Sequence, residues 1–214
     1  MQMDKKRASK ILKLLKKSYP SAKIILNYSN EFELLLSVML STQTRDVQVN
    51  KVTSKLFPKY RGRNMRGEIE NYSNVNLKDF EQDLKQVGLY KTKARNIKKT
   101  AGKILKEFNS QVPKDMRQLI SLPGVGRKTA NVVLGNAFGI YEGIAVDTHV
   151  KRLSLKYGFT KHRNVDKIEQ DLMKLFEKKD WLALTYLLIE HGRNIQRTKN
   201  DFIELFLGKI KNKV

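Results

Sequence analysis

Lys128 and Asp147 are the residues of this chain whose types and settings could do chemistry on an electrophilic carbon. Lys128 falls in the stretch Leu-Ile-Ser-Leu-Pro-Gly-Val-Gly-Arg-Lys-Thr-Ala, residues 119–130. This reads as a hairpin between two helices, with the lysine just inside the second. Pro123 should end the first helix, and Gly124 and Gly126 should supply backbone conformations that a side chain would penalise. The amides from Val125 through Gly126 and Arg127 to Lys128 would then be free donors at a helix N-terminus, where the dipole favours an anion. That positive helix end, Arg127 beside it and partial burial would all disfavour the ammonium form of Lys128. An uncharged amine there could form a Schiff base with a carbon at the aldehyde oxidation level. Lys128 as one more phosphate contact is the competing reading.

Asp147 follows an apolar approach (Ile144, Ala145, Val146) and precedes Thr148-His149-Val150, where a helix should start. As an N-cap alone it would contribute about 1 kcal/mol. Its carboxylate could also stabilise positive charge at a sugar C1′ carbon, or assist proton transfer with Lys128.

The elements positioning these residues all read as helical. Ile11, Leu12, Leu14 and Leu15 stripe a lysine-rich first helix that Pro20 closes, and residues 32–40 are almost wholly apolar, as in a buried helix. After the polar loop from Ser41, Val47, Val52, Leu56 and Phe57 mark a helix ending before Pro58, while residues 59–72 show no clear pattern. Asn76 should cap a helix through Val87, ended by Gly88, and a lysine-rich helix follows from about Lys91 to Phe108. Beyond Gly139 an extended connection leads to helices near 148–157, 166–177 and 181–191, with Asp147, Asn164 and Asp180 as N-caps. A last helix near 202–211 carries Ile203, Phe206, Leu207 and Ile210 on one face. No run alternates as a sheet strand does, so the expected class is all-α.

Composition narrows the partner. The 214 residues suit one large or two modest domains, and the net charge of +22 calls for a polyanion such as DNA or RNA. The longest apolar stretches, 32–40 and 181–189, are too short to span a bilayer. No secretory signal or transit peptide is evident, so an intracellular, cytoplasmic protein is expected. Cysteine is absent, which removes disulfides, thiol nucleophiles and thiolate-held metals, and the three histidines lack metal-ligand spacing. No RNA-recognition signature or interleaved aromatic platform is present.

The hairpin Leu-Pro-Gly-Val-Gly-Arg-Lys-Thr-Ala-Asn and the later Val-Asp-Thr-His-Val resemble the helix–hairpin–helix DNA glycosylases, most closely the endonuclease III group. The likeness continues in Phe-Glu-Leu-Leu-Leu-Ser-Val-Met-Leu-Ser-Thr-Gln-Thr-Arg-Asp from Phe32, in Gly-Leu-Tyr-Lys-Thr-Lys-Ala from Gly88 and in His-Gly-Arg from His191. It implies two helical domains with an active site in the cleft between them. One is a six-helix barrel, residues 28–139, and the other joins residues 1–27 to 140–214. It further implies a bifunctional glycosylase and β-lyase of base excision repair. The substrate would be double-stranded DNA holding an oxidised pyrimidine or an abasic site, with the protein acting as a monomer. Lys128 would be the nucleophile and Asp147 its acidic partner. Gln43 would fill the space left by the extruded base, Leu89 would wedge into the stack, and Gly124, Val125, Gly126, Arg127 and Thr129 would contact DNA. His149 would orient neighbouring groups or serve the fold. The chain departs from the family where four cysteines usually hold a [4Fe–4S] cluster, since Gln196 stands at the first position. No cofactor is therefore expected. Helix 202–211 should close the domain instead, with Arg193, Arg197 and Lys199 supplying charge. The alternatives are a non-catalytic DNA-binding module and a glycosylase for another lesion, such as an oxidised purine or a mismatch.

Overall fold

The computed structural model describes residues 3–211, with side chains through 208. Every regular element among them is helical, and no strand forms. The twelve α-helices divide into two compact units, residues 25–140 and residues 1–24 with 141–214.

The unit of residues 25–140 is built around α2 (Glu31–Ser41). Asn30 caps it by accepting from the Glu33 amide at 2.8 Å, and every side chain from Phe32 to Leu40 is buried. Around it lie α3 (Asp46–Tyr60), α4 (Met65–Asn74), α5 (Leu77–Asp83), α6 (Tyr90–Glu107), α7 (Met116–Ile120) and α8 (Arg127–Phe138). Tyr60, Tyr72, Phe80 and Phe32 form an aromatic cluster with centroid separations between 5.1 and 5.8 Å.

Several expectations change here. Pro58 does not end α3 but sits within its last turn. Its fixed φ suits a helix, and burial of Leu56 and Phe57 beside it offsets the lost hydrogen bond. Val47 is 79% exposed, and Val49 takes the core position instead. The unpatterned segment holds α4, capped by Asn64 through the Gly67 amide at 2.9 Å and anchored by buried Ile69 and Tyr72. Asn76 caps α5 as expected, but that helix stops at Asp83.

The other unit packs α1 (Lys5–Ser18) with α9 (Thr148–Tyr157), α10 (Val165–Leu175), α11 (Trp181–Thr198) and α12 (Phe202–Lys211). Ile11, Leu12, Val150, Leu153, Ile168, Leu172, Leu184 and Leu188 form its core, with Leu14 half-buried at the edge. Asn164 caps α10 at 3.0 Å. Asp180 precedes α11 without capping it: it ends a 3₁₀ turn (Lys178–Asp180) with a helical backbone, φ −97° and ψ −8°, and its carboxylate accepts from Lys16 at 2.6 Å. Ile203 is buried and Phe206 and Leu207 pack on the core; the side chain of Ile210 lies outside the described residues.

Candidate DNA interface and active site

The hairpin forms between α7 and α8. Of the two hairpin glycines, only Gly124 needs to be glycine for the turn: its φ is +79°, and a Cβ there would stand 2.7 Å from Asn96 Nδ2. Gly126 has an ordinary extended φ of −97°, contrary to the expectation, and a Cβ there would meet nothing within 4 Å. The Val125 amide is not free either. It donates to the Leu122 carbonyl at 3.1 Å, and its side chain is buried, so Val125 serves the turn. No side chain caps α8, and the amides of its first turn lack helical acceptors by construction.

Lys128 is exposed in that first turn, so the expected contribution of burial to its reactivity is absent. Thr129, next along, is buried.

One face of α6 carries the hairpin. Thr100 donates to the Pro123 carbonyl at 2.9 Å, Lys103 to the Ser121 carbonyl at 3.0 Å, and Asn96 lies against Gly124. The same helix begins at Leu89, which adopts a left-handed φ of 58° and is 55% exposed. Gln43 is also exposed and left-handed, with φ 54°. Non-glycine residues adopt this conformation uncommonly; Asn109, Ser110 and Lys199 also hold it. The structure brings the Gln43 and Leu89 loops together: the Gly88 amide donates to Thr44 Oγ1 at 3.0 Å, and a Cβ on Gly88 would stand 2.9 Å from the Gln43 carbonyl.

Lys93 is a residue the sequence reading passed over. Its Nζ donates to the carbonyls of Leu40 at 2.7 Å and Thr42 at 2.5 Å, and to Thr44 Oγ1 at 3.0 Å. Burial pushes its pKa down to about 8. The signal was available, since Lys93 shares a helical stripe with buried Ile97, Thr100 and Ile104.

In the other unit, Asp147 caps α9 by accepting from the Val150 amide at 2.8 Å. That leaves one carboxylate oxygen committed to the helix. His149 is half-buried with Nδ1 unpartnered. Burial holds its pKa below the usual value, opposed by Asp147 and aided by Arg152 and Arg193. Its ring lies directly against Gly192, where any side chain would collide. This packing gives the glycine of His-Gly-Arg its reason.

Residues 36–178 match the HhH-GPD superfamily of base excision DNA repair proteins. The chain belongs to that superfamily. It is 44% identical to endonuclease III of Synechocystis sp. over 91% of this chain and 86% of the relative. With endonuclease III of Escherichia coli it shares 41% identity over 89% of this chain and 87% of the relative. A solved structure of a trapped endonuclease III–DNA covalent intermediate superposes with a TM-score of 0.84 and 42% identity, covering 90% of this chain and 88% of that one.

This HhH-GPD protein does not fit the iron–sulfur cluster usual in its relatives. It has no thiolate to offer, and Gln196 lies exposed on a continuous α11. Among the described residues no group of His, Asp and Glu is placed to hold a metal. A polar network occupies this end of the unit instead. Buried Asp201 accepts from Tyr157 at 2.9 Å and pairs with Lys156 at 2.8 Å, and it bonds His191 Nε2 at 3.2 Å. His191 Nδ1 bonds Tyr19 at 2.8 Å, and the Phe202 ring packs against the imidazole at a tilt of 50°, centroids 4.6 Å apart. These contacts tie α1, α9, α11 and the start of α12.

Proposed function

We propose that the protein is a bifunctional DNA glycosylase and abasic-site lyase acting on oxidised pyrimidines in double-stranded DNA. The observation carrying this reading is a lysine in the first turn of the hairpin's second helix, in a chain 42% identical to an endonuclease III trapped covalently on DNA. Phosphates dock on the amides of Gly126, Arg127 and Lys128 and on the lysine-rich surface. The open side of Gly126, which the fold does not use, gives a phosphate room to reach the main chain. Gln43 and Leu89 enter the duplex, offsetting part of the few kcal/mol that extrusion costs.

The free amine of Lys128 attacks C1′ as the glycosidic bond breaks, and the base leaves with the bonding electrons and takes up a proton. Sugar-ring opening yields an imine between C1′ and Nζ. Loss of a C2′ proton then expels the 3′ phosphate, and water releases the lysine. Asp147 places negative charge where C1′ becomes positive, or passes a proton to or from the amine. None of these steps needs a metal-held cluster. Such an enzyme works where the cell's DNA is, and no described helix is long and apolar enough to cross a membrane.

Incubation with duplexes that each hold one defined lesion, with and without borohydride, tests the reading. Reduction should trap a covalent protein–DNA adduct on oxidised pyrimidines and abasic sites. Salt-sensitive binding with no strand cut at an abasic site would leave only a DNA-binding module.

A further inference from the structure

Thr44 sits between two projecting loops and is bonded to both sides. Its Oγ1 accepts from the Gly88 amide and from Lys93 Nζ, each at 3.0 Å, using both of its acceptor positions. Lys93 spends its other two protons on the carbonyls of Leu40 and Thr42. Leu40 lies in the last turn of α2, where an unpaired carbonyl needs a donor, so that bond alone would be ordinary helix capping. Thr42 and Thr44 lie beyond the helix end. The bonds to them therefore shape the loop itself, on either side of Gln43. Across the gap, the tight approach of Gly88 to the Gln43 carbonyl leaves the second loop little freedom to slide.

We propose that Lys93 and Thr44 are positioning residues that lock the Gln43 loop to the Leu89 loop, so that both side chains enter the duplex as one preformed element. The proposal rests on the reading above that Gln43 and Leu89 penetrate DNA. Its physical basis is preorganisation: two left-handed residues on untethered loops would relax toward commoner backbone conformations, and each would have to be reset during extrusion.

The test measures extrusion by stopped-flow fluorescence of 2-aminopurine placed beside an oxidised pyrimidine, alongside single-turnover excision. Thr44→Val keeps the side-chain shape and removes both acceptor bonds; Lys93→Met removes all three donors. Each should slow the fluorescence rise and excision by about 10- to 100-fold, the scale of an ångström of misplacement. Cleavage of a preformed abasic site, where no base leaves the stack, should slow less. Thr44→Ser keeps the hydroxyl and should restore the rate. Gln43→Ala should slow extrusion in the parent protein but add little in the Thr44→Val background, because its loop is already released. A lock serving stability alone predicts a lower melting temperature with normal extrusion and multiplicative effects, and that result overturns the proposal. If Gln43→Ala and Leu89→Ala themselves extrude normally, the wedge reading fails and the proposal falls with it. Slow extrusion by those two with normal Thr44→Val and Lys93→Met removes the lock alone. Should Lys93→Met not fold, Thr44→Val and Thr44→Ser still decide the matter.

Discussion

Thr100, fully buried on α6, donates its hydroxyl proton to the carbonyl of Pro123 at 2.9 Å, so one helix sets the height of the hairpin. Thr100→Val keeps the shape and leaves that carbonyl without its partner. A loss of about 1–3 kcal/mol follows, readable as a shifted urea midpoint. Affinity for undamaged duplex should fall as well, because the amides ahead of Lys128 are displaced with the turn.

The two hairpin glycines should respond differently to substitution. Gly124→Ala forces a side chain into a left-handed backbone and against Asn96, so it should destabilise by more than about 1 kcal/mol. Gly126→Ser meets nothing within 4 Å and places a good capping residue before α8, so stability should hold or rise by a few tenths of a kcal/mol. Its DNA affinity should nonetheless drop. A Gly126→Ser protein that binds duplex normally would argue against phosphate docking there.

At Asp147 the capping and chemical roles can be separated. Asparagine caps as well as aspartate, so Asp147→Asn should melt within about 0.5 kcal/mol of the parent while excision falls by roughly 100-fold or more. Asp147→Ala should lose the cap too, at about 1 kcal/mol. Lys128→Ala removes an exposed side chain and should melt normally, yet give no borohydride adduct. Undiminished trapping would reassign the nucleophile.

Acid should weaken the unit that contains His191. Burial holds its pKa below the usual value, against the pull of Asp201, so the folded protein keeps the ring neutral while the unfolded chain takes up a proton below about pH 6.5. The contribution of the neutral ring is complete above that pH and declines as pH falls toward the folded value. His149 shifts the same way and adds to the slope. Asp201 acts lower. Burial alone would raise its pKa, but bonds from Lys156, the Glu204 amide and Tyr157 outweigh that and hold it below the ordinary value. Its contribution is therefore present above about pH 3.9 and lost in stronger acid. Thermal midpoints at pH 7.5 and 5.5 should differ, and His191→Asn should narrow the gap even though its midpoint at pH 7.5 is lower.

Helical class, the caps Asn76, Asp147 and Asn164 and the buried run of α2 were legible in the chain, because each depends on residues within a turn or two. The hairpin was legible for the same reason, down to Gly124. What failed locally did so because a distant partner prevailed. Asp180 belongs to a 3₁₀ turn with a helical backbone and pairs with Lys16 instead of capping α11, and the packing of Leu56 and Phe57 carries α3 through Pro58. Val47 faces water because the core side of α3 is the one carrying Val49, Val52 and Leu56, and Val47 lies on the opposite face of the same first turn. The stripe that Lys93 shares with Ile97, Thr100 and Ile104 marks its inward side, but only the tertiary structure shows that its Nζ holds the end of α2 and the Gln43 loop. Composition sets how many cations a chain has; which of them meets three oxygens depends on segments some fifty residues away in sequence.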